Sequence, residues 1–191
     1  REAQDALGAQ WQPLADLWRM KQLQYTWLRG LSGRHADFWA VTSDALSYAM
    51  DSLRLHDAAL HGRLMQLYLA LRTYPEVAPT LQPLRAAGMK LALLSNGTPA
   101  MLHSAVTHAQ LDGFFDAVLS VEEVGVFKPH PAVYQLACSR LQQAPDEICF
   151  LSSNGWDAYS AKAFGFRVLW CNRFHQAPER IPETPDAQID S

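Results

Sequence analysis

The sequence predicts an α/β fold in which an all-helical segment precedes a doubly wound parallel sheet, and three observations predict it. Apolar residues recur at helical spacing through the first 73 positions, with no visible strand among them. From Val77 onward, short apolar runs alternate with helical patterns, which is how βαβ units read in a sequence. Two of those runs, Leu91–Leu94 and Ile148–Leu151, pass directly into polar turns: Ser95-Asn96-Gly97-Thr98 and Ser152-Ser153-Asn154-Gly155-Trp156-Asp157. Open parallel sheets bind ligands at the carboxyl ends of their strands, so these turns are where chemistry is expected.

Taken in order, Leu14, Leu17, Trp18, Tyr25, Leu28 and Leu31 define a first helix, which Gly30 and Ser32-Gly33 break. A second helix is expected over Ala36–Arg54, with Thr42 and Ser43 marking an internal start. A third covers Ala58–Leu71 and stops at Tyr74-Pro75, because proline biases the preceding residue away from helix. Next come a helix over Val77–Ala87 stopped by Gly88, and a strand over Lys90–Leu94. The helix over Pro99–Leu111 has Thr98 as N-cap and proline at its first position. A strand at Ala117–Val121, a helix at Ala132–Leu141 and a strand at Ile148–Leu151 follow. The last elements are a helix over Ala158–Phe164 and a strand over Arg167–Cys171, after which Gln176–Ser191 shows no closing element. The layout is a Rossmann-like core with a helical cap subdomain: a core remnant at 1–10, the cap at 11–73 and the core at 74–191. A parallel sheet normally opens with its own strand. None is visible before residue 10, and the chain begins Arg1-Glu2-Ala3-Gln4 without methionine, so the first core strand is expected upstream.

At 191 residues and 49% hydrophobic content, the chain can bury a substantial core. Its formal charge of -3 gives no basic surface for nucleic acid or an anionic membrane. No apolar run reaches the length of a membrane span, and no signal peptide is visible. Cys138, Cys149 and Cys171 are an odd count without CxxC spacing, expected to be packed, reduced thiols of a cytoplasmic protein. His130 and the other six histidines show no ligand-like pairing and are expected to be surface or satisfied core residues.

Five pieces then stand in order: Leu17-Trp18-Arg19; Gln22-Leu23-Gln24-Tyr25-Thr26-Trp27; Leu94-Ser95-Asn96-Gly97; Lys128-Pro129 with Tyr134; and Ser152-Ser153-Asn154-Gly155-Trp156-Asp157. Together they resemble the type II L-2-haloacid dehalogenases of the haloacid dehalogenase superfamily over nearly the whole chain. The Ser-Ser-Asn-x-Trp-Asp element discriminates most. The resemblance implies that an aspartate at the end of the first strand displaces halide from C2 of a 2-haloalkanoate with inversion. Water then hydrolyses the aspartyl ester to a D-2-hydroxy acid, without metal or cofactor, in a homodimer. The family's nucleophile motif, Asp-x-Tyr-Gly-Thr, is absent from this sequence; by order it falls before Arg1, and a final helix falls after Ser191. This segment alone is therefore expected to be inactive, and the activity to belong to the complete protein.

The resemblance also distributes roles, each with a plainer alternative beside it. Ser95 would hold the substrate carboxylate and Asn96 the leaving halide, where a helix N-terminus favours anions; an ordinary Asn-Gly turn is the alternative. Arg19 would stabilise developing halide charge; a lone arginine is otherwise a snorkelling surface residue. Lys128 would keep the nucleophile ionised, with Tyr134 in its network; the alternatives are a solvated turn lysine and a structural tyrosine. Ser152, Asn154 and Asp157 would serve the hydrolytic half-reaction, Asp157 orienting or deprotonating water and also holding Lys128; Asp157 as a helix N-cap is the alternative. Leu23, Phe38 and Trp156 match positions lining the apolar substrate pocket, and would otherwise be plain core. Met20 belongs to that pocket but stands where relatives often carry glutamine, which bears on substrate preference. Two rival functions remain. A Mg-dependent phosphatase of the same superfamily needs acids around its metal, whereas this turn offers Asp157 alone. A non-catalytic relative that kept the pocket is the other.

Overall fold

The computed structural model describes residues 7–191; the first six residues of the expected core remnant lie outside the described residues. Along the chain run α1 (Trp11–Leu31), α2 (Phe38–Ser52), α3 (Ala58–Gln66), α4 (Val77–Ala86), β1 (Ala92–Ser95), α5 (Pro99–His108), β2 (Ala117–Ser120), α6 (Pro131–Leu141), β3 (Cys149–Ser152), α7 (Gly155–Phe164), β4 (Arg167–Cys171) and β5 (Ala187–Ile189). They fall into two compact units. A helical unit reaches to Tyr74 and includes Asn96–Gly113; an α/β unit comprises Pro75–Ser95 and Phe114–Ser191.

In the helical unit, α1 buries a single stripe, Leu14, Trp18, Gln22 and Thr26, at every fourth position. The helix runs through Gly30 and ends at Leu31, with Gly33 in the left-handed region at φ +64°. One helical glycine costs only about 1 kcal/mol, too little to end a helix already paid for by packing. α2 starts at Phe38 rather than Ala36, because the Asp37 carboxylate accepts the Ala40 N–H at 2.8 Å. Thr42 is no internal start. It is fully buried in mid-helix, and its hydroxyl donates to the Phe38 carbonyl at 2.6 Å. Asp57 caps α3 through the Leu60 N–H at 2.9 Å, and the expected end of that helix tightens into a 3-10 turn at Leu67–Leu69. Leu14, Trp18, Leu46, Met50, Leu60 and Leu64 centre this unit's core.

In the α/β unit every strand pairing is parallel, in register from Ala92↔Ala117 to Ser95↔Ser120, from Cys149↔Arg167 to Ser152↔Trp170, and from Leu169↔Ala187 to Cys171↔Ile189. The strands form two sheets, β1–β2 and β3–β4–β5. The tail does carry a closing element, contrary to expectation, since Ala187–Ile189 pairs with β4. A short, mixed segment has no periodicity to read; its pairing starts at Asp186, whose carboxylate accepts the Val168 N–H at 2.7 Å while its own N–H donates to the Val168 carbonyl. Asp116 opens β2 against Leu91 in the same way. α7 begins at Gly155, three residues before the expected Ala158.

The core here gathers Tyr134, Ala158, Tyr159, Phe166, Val168 and Trp170. Tyr134 meets Phe150 and Phe166 edge to face, with centroids 6.0 and 5.8 Å apart, contacts worth about 1 kcal/mol each beyond their buried area. The three cysteines are free, and Cys138 is packed as expected, but Cys149 is exposed and Cys171 half-buried. Strand alternation explains the exception: Cys149 and Leu151 share the outer face of β3, while Ser152 is buried on the other. Among the described residues, no helix is long and apolar enough to cross a membrane.

Candidate active site

The carboxyl ends of two strands present the polar turns. β1 ends at Ser95, whose register partner Ser120 ends β2 and is 2% exposed. Thr98 caps α5 as expected, its hydroxyl oxygen accepting the Met101 N–H at 3.3 Å. β3 ends at Ser152, and Asn154 occupies the N-cap position of α7. The Ser152 hydroxyl oxygen accepts the Asn154 N–H at 3.2 Å, which folds the turn back on the strand end.

That turn delivers Asp157 into the interior, where it meets Lys128 from the segment ahead of α6 and Tyr134 from α6. Lys128 Nζ donates to Asp157 Oδ2 at 3.0 Å, Ser152 Oγ to the same oxygen at 2.9 Å, and Tyr134 Oη to Oδ1 at 2.8 Å. All four residues are buried; Lys128 is 7% and Asp157 3% exposed. Asp157 is therefore not the helix cap that its place after a turn suggested; it sits in the first turn of α7 with its carboxylate turned to side chains. Burial pulls the Lys128 ammonium below the ordinary lysine range, and the Asp157 charge opposes that pull. Burial first, then the Asp157 charge, pushes the Tyr134 phenol well up, so it stays a donor. Lys128 Nζ also lies 4.7 Å from the centroid of the Phe150 ring, a cation–π contact. Phe150 was legible only as a strand residue; its place two positions before Ser152, on the same face, was the available signal.

The helical unit holds most of the other residues singled out by sequence. Arg19 and Met20 are exposed on α1, Met20 at 56%; Leu23 is half-buried on α1 and Phe38 half-buried at the start of α2. Asn96 is half-buried and belongs to the same unit. Trp156, in the first turn of α7, is half-buried. The structure thus brings Lys128, Tyr134, Ser152 and Asp157 together by direct hydrogen bonds, with Asn154 tied to Ser152 through its backbone. An open groove of about 480 Å³ lined by Tyr159, Trp170, Pro178 and Ile181 contains none of these residues. Among the described residues, no three His, Cys, Asp or Glu side chains converge as a metal set would require.

Parallel strands whose carboxyl ends carry a buried lysine–carboxylate pair define an α/β enzyme with its chemistry at the strand ends. Residues 4–165 match the model of the haloacid dehalogenase-like hydrolases, and the chain belongs to that family. It is 43% identical over 176 residues to (S)-2-haloacid dehalogenase 4A of Burkholderia cepacia, covering 92% of this chain and 76% of that protein. A crystal structure of a dehalogenase superposes with a TM-score of 0.96 at 41% identity, over 100% of this chain and 84% of that one. The L-2-haloacid dehalogenase from Xanthobacter autotrophicus, solved with chloropropionic acid covalently bound, superposes with a TM-score of 0.91 at 38% identity, over 100% of this chain and 86% of that one.

Proposed function

We propose that the complete protein hydrolyses L-2-haloalkanoic acids to D-2-hydroxy acids through an aspartyl ester, without metal or cofactor. The observation that carries this reading is the buried Lys128–Asp157–Tyr134–Ser152 cluster. Burying a lysine and a carboxylate together adds little to stability, because desolvation offsets the attraction. Such a pair is better explained by chemistry that needs a fixed cation in a dry site. In this reading Lys128 keeps an attacking carboxylate ionised. Asp157 holds Lys128 in place: its oxygens accept three donors, one of them an ammonium. The phosphatase is disfavoured because the one acid of the turn is paired with a lysine. Arg19 and Asn96 hold the departing halide, Ser95 and Asn154 the substrate and the hydrolytic water, and Leu23, Phe38, Trp156 and Met20 the alkyl chain.

Residues 11–73 serve as the cap and residues 74–191 as the core. The enzyme is cytoplasmic, in keeping with three free thiols. It is a homodimer joined through the outer face of α1, where Leu28 is 53% and Leu31 88% exposed; sedimentation of the full-length protein measures this. The reaction itself is tested by incubating full-length protein with L-2-chloropropionate in EDTA. Chloride release with D-lactate as product is expected. L-lactate, or a strict requirement for Mg, sinks the double-displacement reading. The attacking residue in this reading is an aspartate, and mass spectrometry of protein quenched during turnover identifies the residue that carries the ester.

A further inference from the structure

We propose that Gln22 is a positioning residue for the substrate pocket, locking the helix that carries Arg19, Met20 and Leu23 against the helix that begins at Phe38. The functional part of this inference rests on the dehalogenase reading above. Gln22 is 4% exposed and is one of two polar members of the buried stripe Leu14, Trp18, Gln22 and Thr26; the other, Thr26, donates its hydroxyl within its own helix, to the Leu23 carbonyl. Its Nε2 donates to Thr42 Oγ1 at 2.7 Å and to the Tyr68 hydroxyl at 3.3 Å, using both amide hydrogens. Thr42 passes its own hydroxyl hydrogen to the Phe38 carbonyl at 2.6 Å. The donors thus run one way, from Gln22 to Thr42 to Phe38; a flipped amide would pull the threonine hydrogen away from Phe38.

Trp18, one turn before Gln22, donates its indole N–H to the Thr42 carbonyl at 2.9 Å. Its ring meets Tyr68 edge to face, with centroids 5.1 Å apart. Thr42 is therefore held at its hydroxyl and its carbonyl by two successive turns of α1, and Tyr68 is held at its ring and its hydroxyl by the same two residues. Arg19 lies between Trp18 and Gln22 in sequence; burial pushes the Tyr68 phenol up, and the Gln22 hydrogen bond and the Arg19 charge oppose that push. Leu23 directly follows Gln22, and Phe38 is one turn ahead of Thr42. An apolar residue at position 22 would pack in several registers, whereas sliding α1 along α2 by one turn would leave the amide and hydroxyl without partners. The Arg29–Asp44 pair at 2.7 Å joins the same helices, but both side chains are partly exposed and specify little.

The test is Gln22→Met in the full-length protein, which keeps side-chain length and apolar packing while removing the amide. Thr42→Val, which removes the same link from the other side, is the second variant, and Thr42→Ser restores the hydroxyl. The expected result is a fall in kcat/KM for L-2-chloropropionate of about tenfold to a hundredfold, as a misplacement near 1 Å can produce, in Gln22→Met and Thr42→Val at unchanged folded fraction. Thr42→Ser should stay within twofold of the parent. A crystal structure of Gln22→Met should show Arg19 displaced relative to Phe38. Unmoved Arg19 overturns the proposal whether or not the protein releases halide. So does a kcat/KM within twofold of the parent, or a fall that matches the loss of folded protein. Absence of halide release in the parent protein condemns the dehalogenase reading alone, and the displacement still decides the clamp.

Discussion

Each unit of this protein buries a polar network that joins separate elements, and the two networks differ in charge. In the helical unit Gln22, Thr42, Tyr68 and Trp18 are neutral. In the α/β unit Lys128 and Asp157 are ions, held by Tyr134 and Ser152. Neutral hydrogen bonds cost little to bury once satisfied, and they select one helix register. An ion pair costs several kcal/mol of desolvation per ion and gives back about the same, so its presence points to chemistry rather than to stability. The contrast teaches that a neutral network can be explained by the helix register it fixes, whereas a buried ion pair needs a reason other than stability.

The largest expected effect comes from breaking the charged network. Asp157→Asn leaves Lys128 buried without a counter-ion, so a loss of about 3–5 kcal/mol is expected in urea unfolding. Chloride release should be lost from the first turnover in rapid quench. A stable variant that accumulates an aspartyl ester would return Asp157 to the role of activating water.

Next comes pH, which should touch one network and spare the other. Lys128 is held below the ordinary lysine range, chiefly by burial. If its cation is needed, activity must fall on the alkaline side before ordinary lysines titrate. Stability should move the opposite way. Between the lowered folded value and the ordinary unfolded one, the unfolded chain binds more protons, so this group's contribution to stability rises with pH. Activity and unfolding free energy measured together across that window check both signs; a parallel decline would remove Lys128 as the titrating group.

The smallest effect compares two phenols. Tyr134→Phe removes a donor to a charged acceptor, about 1.5–3 kcal/mol, whereas Tyr68→Phe removes an acceptor from a neutral amide, about 0.5–1.5 kcal/mol. Equilibrium unfolding of both variants measures the difference. A greater loss for Tyr68→Phe would reverse the ranking of the two networks.

Much was legible before any coordinates. The helical first part, the alternation after Pro75, the Thr98 cap and the strand Arg167–Cys171 all follow from local periodicity and capping chemistry, which act within a few residues. The order of motifs from Arg19 to Asp157 carried the family, because spacing along a chain survives where tertiary contact cannot be seen. What the sequence withheld was partnership. β5 was hidden because three residues form a strand only when Asp186 starts their pairing with β4. Cys149 looked packed because an apolar run does not say which face of its sheet is covered. Asp157 read as a cap or as a base that also holds Lys128; the structure removes the cap, since Asn154 takes that position and the Asp157 carboxylate accepts from Lys128, Tyr134 and Ser152. Gln22 was legible as part of a family motif but its partners were not, since a glutamine on an amphipathic helix is ordinarily solvated. Periodicity and spacing are properties of one stretch of chain, and the sequence determines them alone; which buried polar atom meets which is settled only when distant stretches pack, because each must then replace the water it has lost.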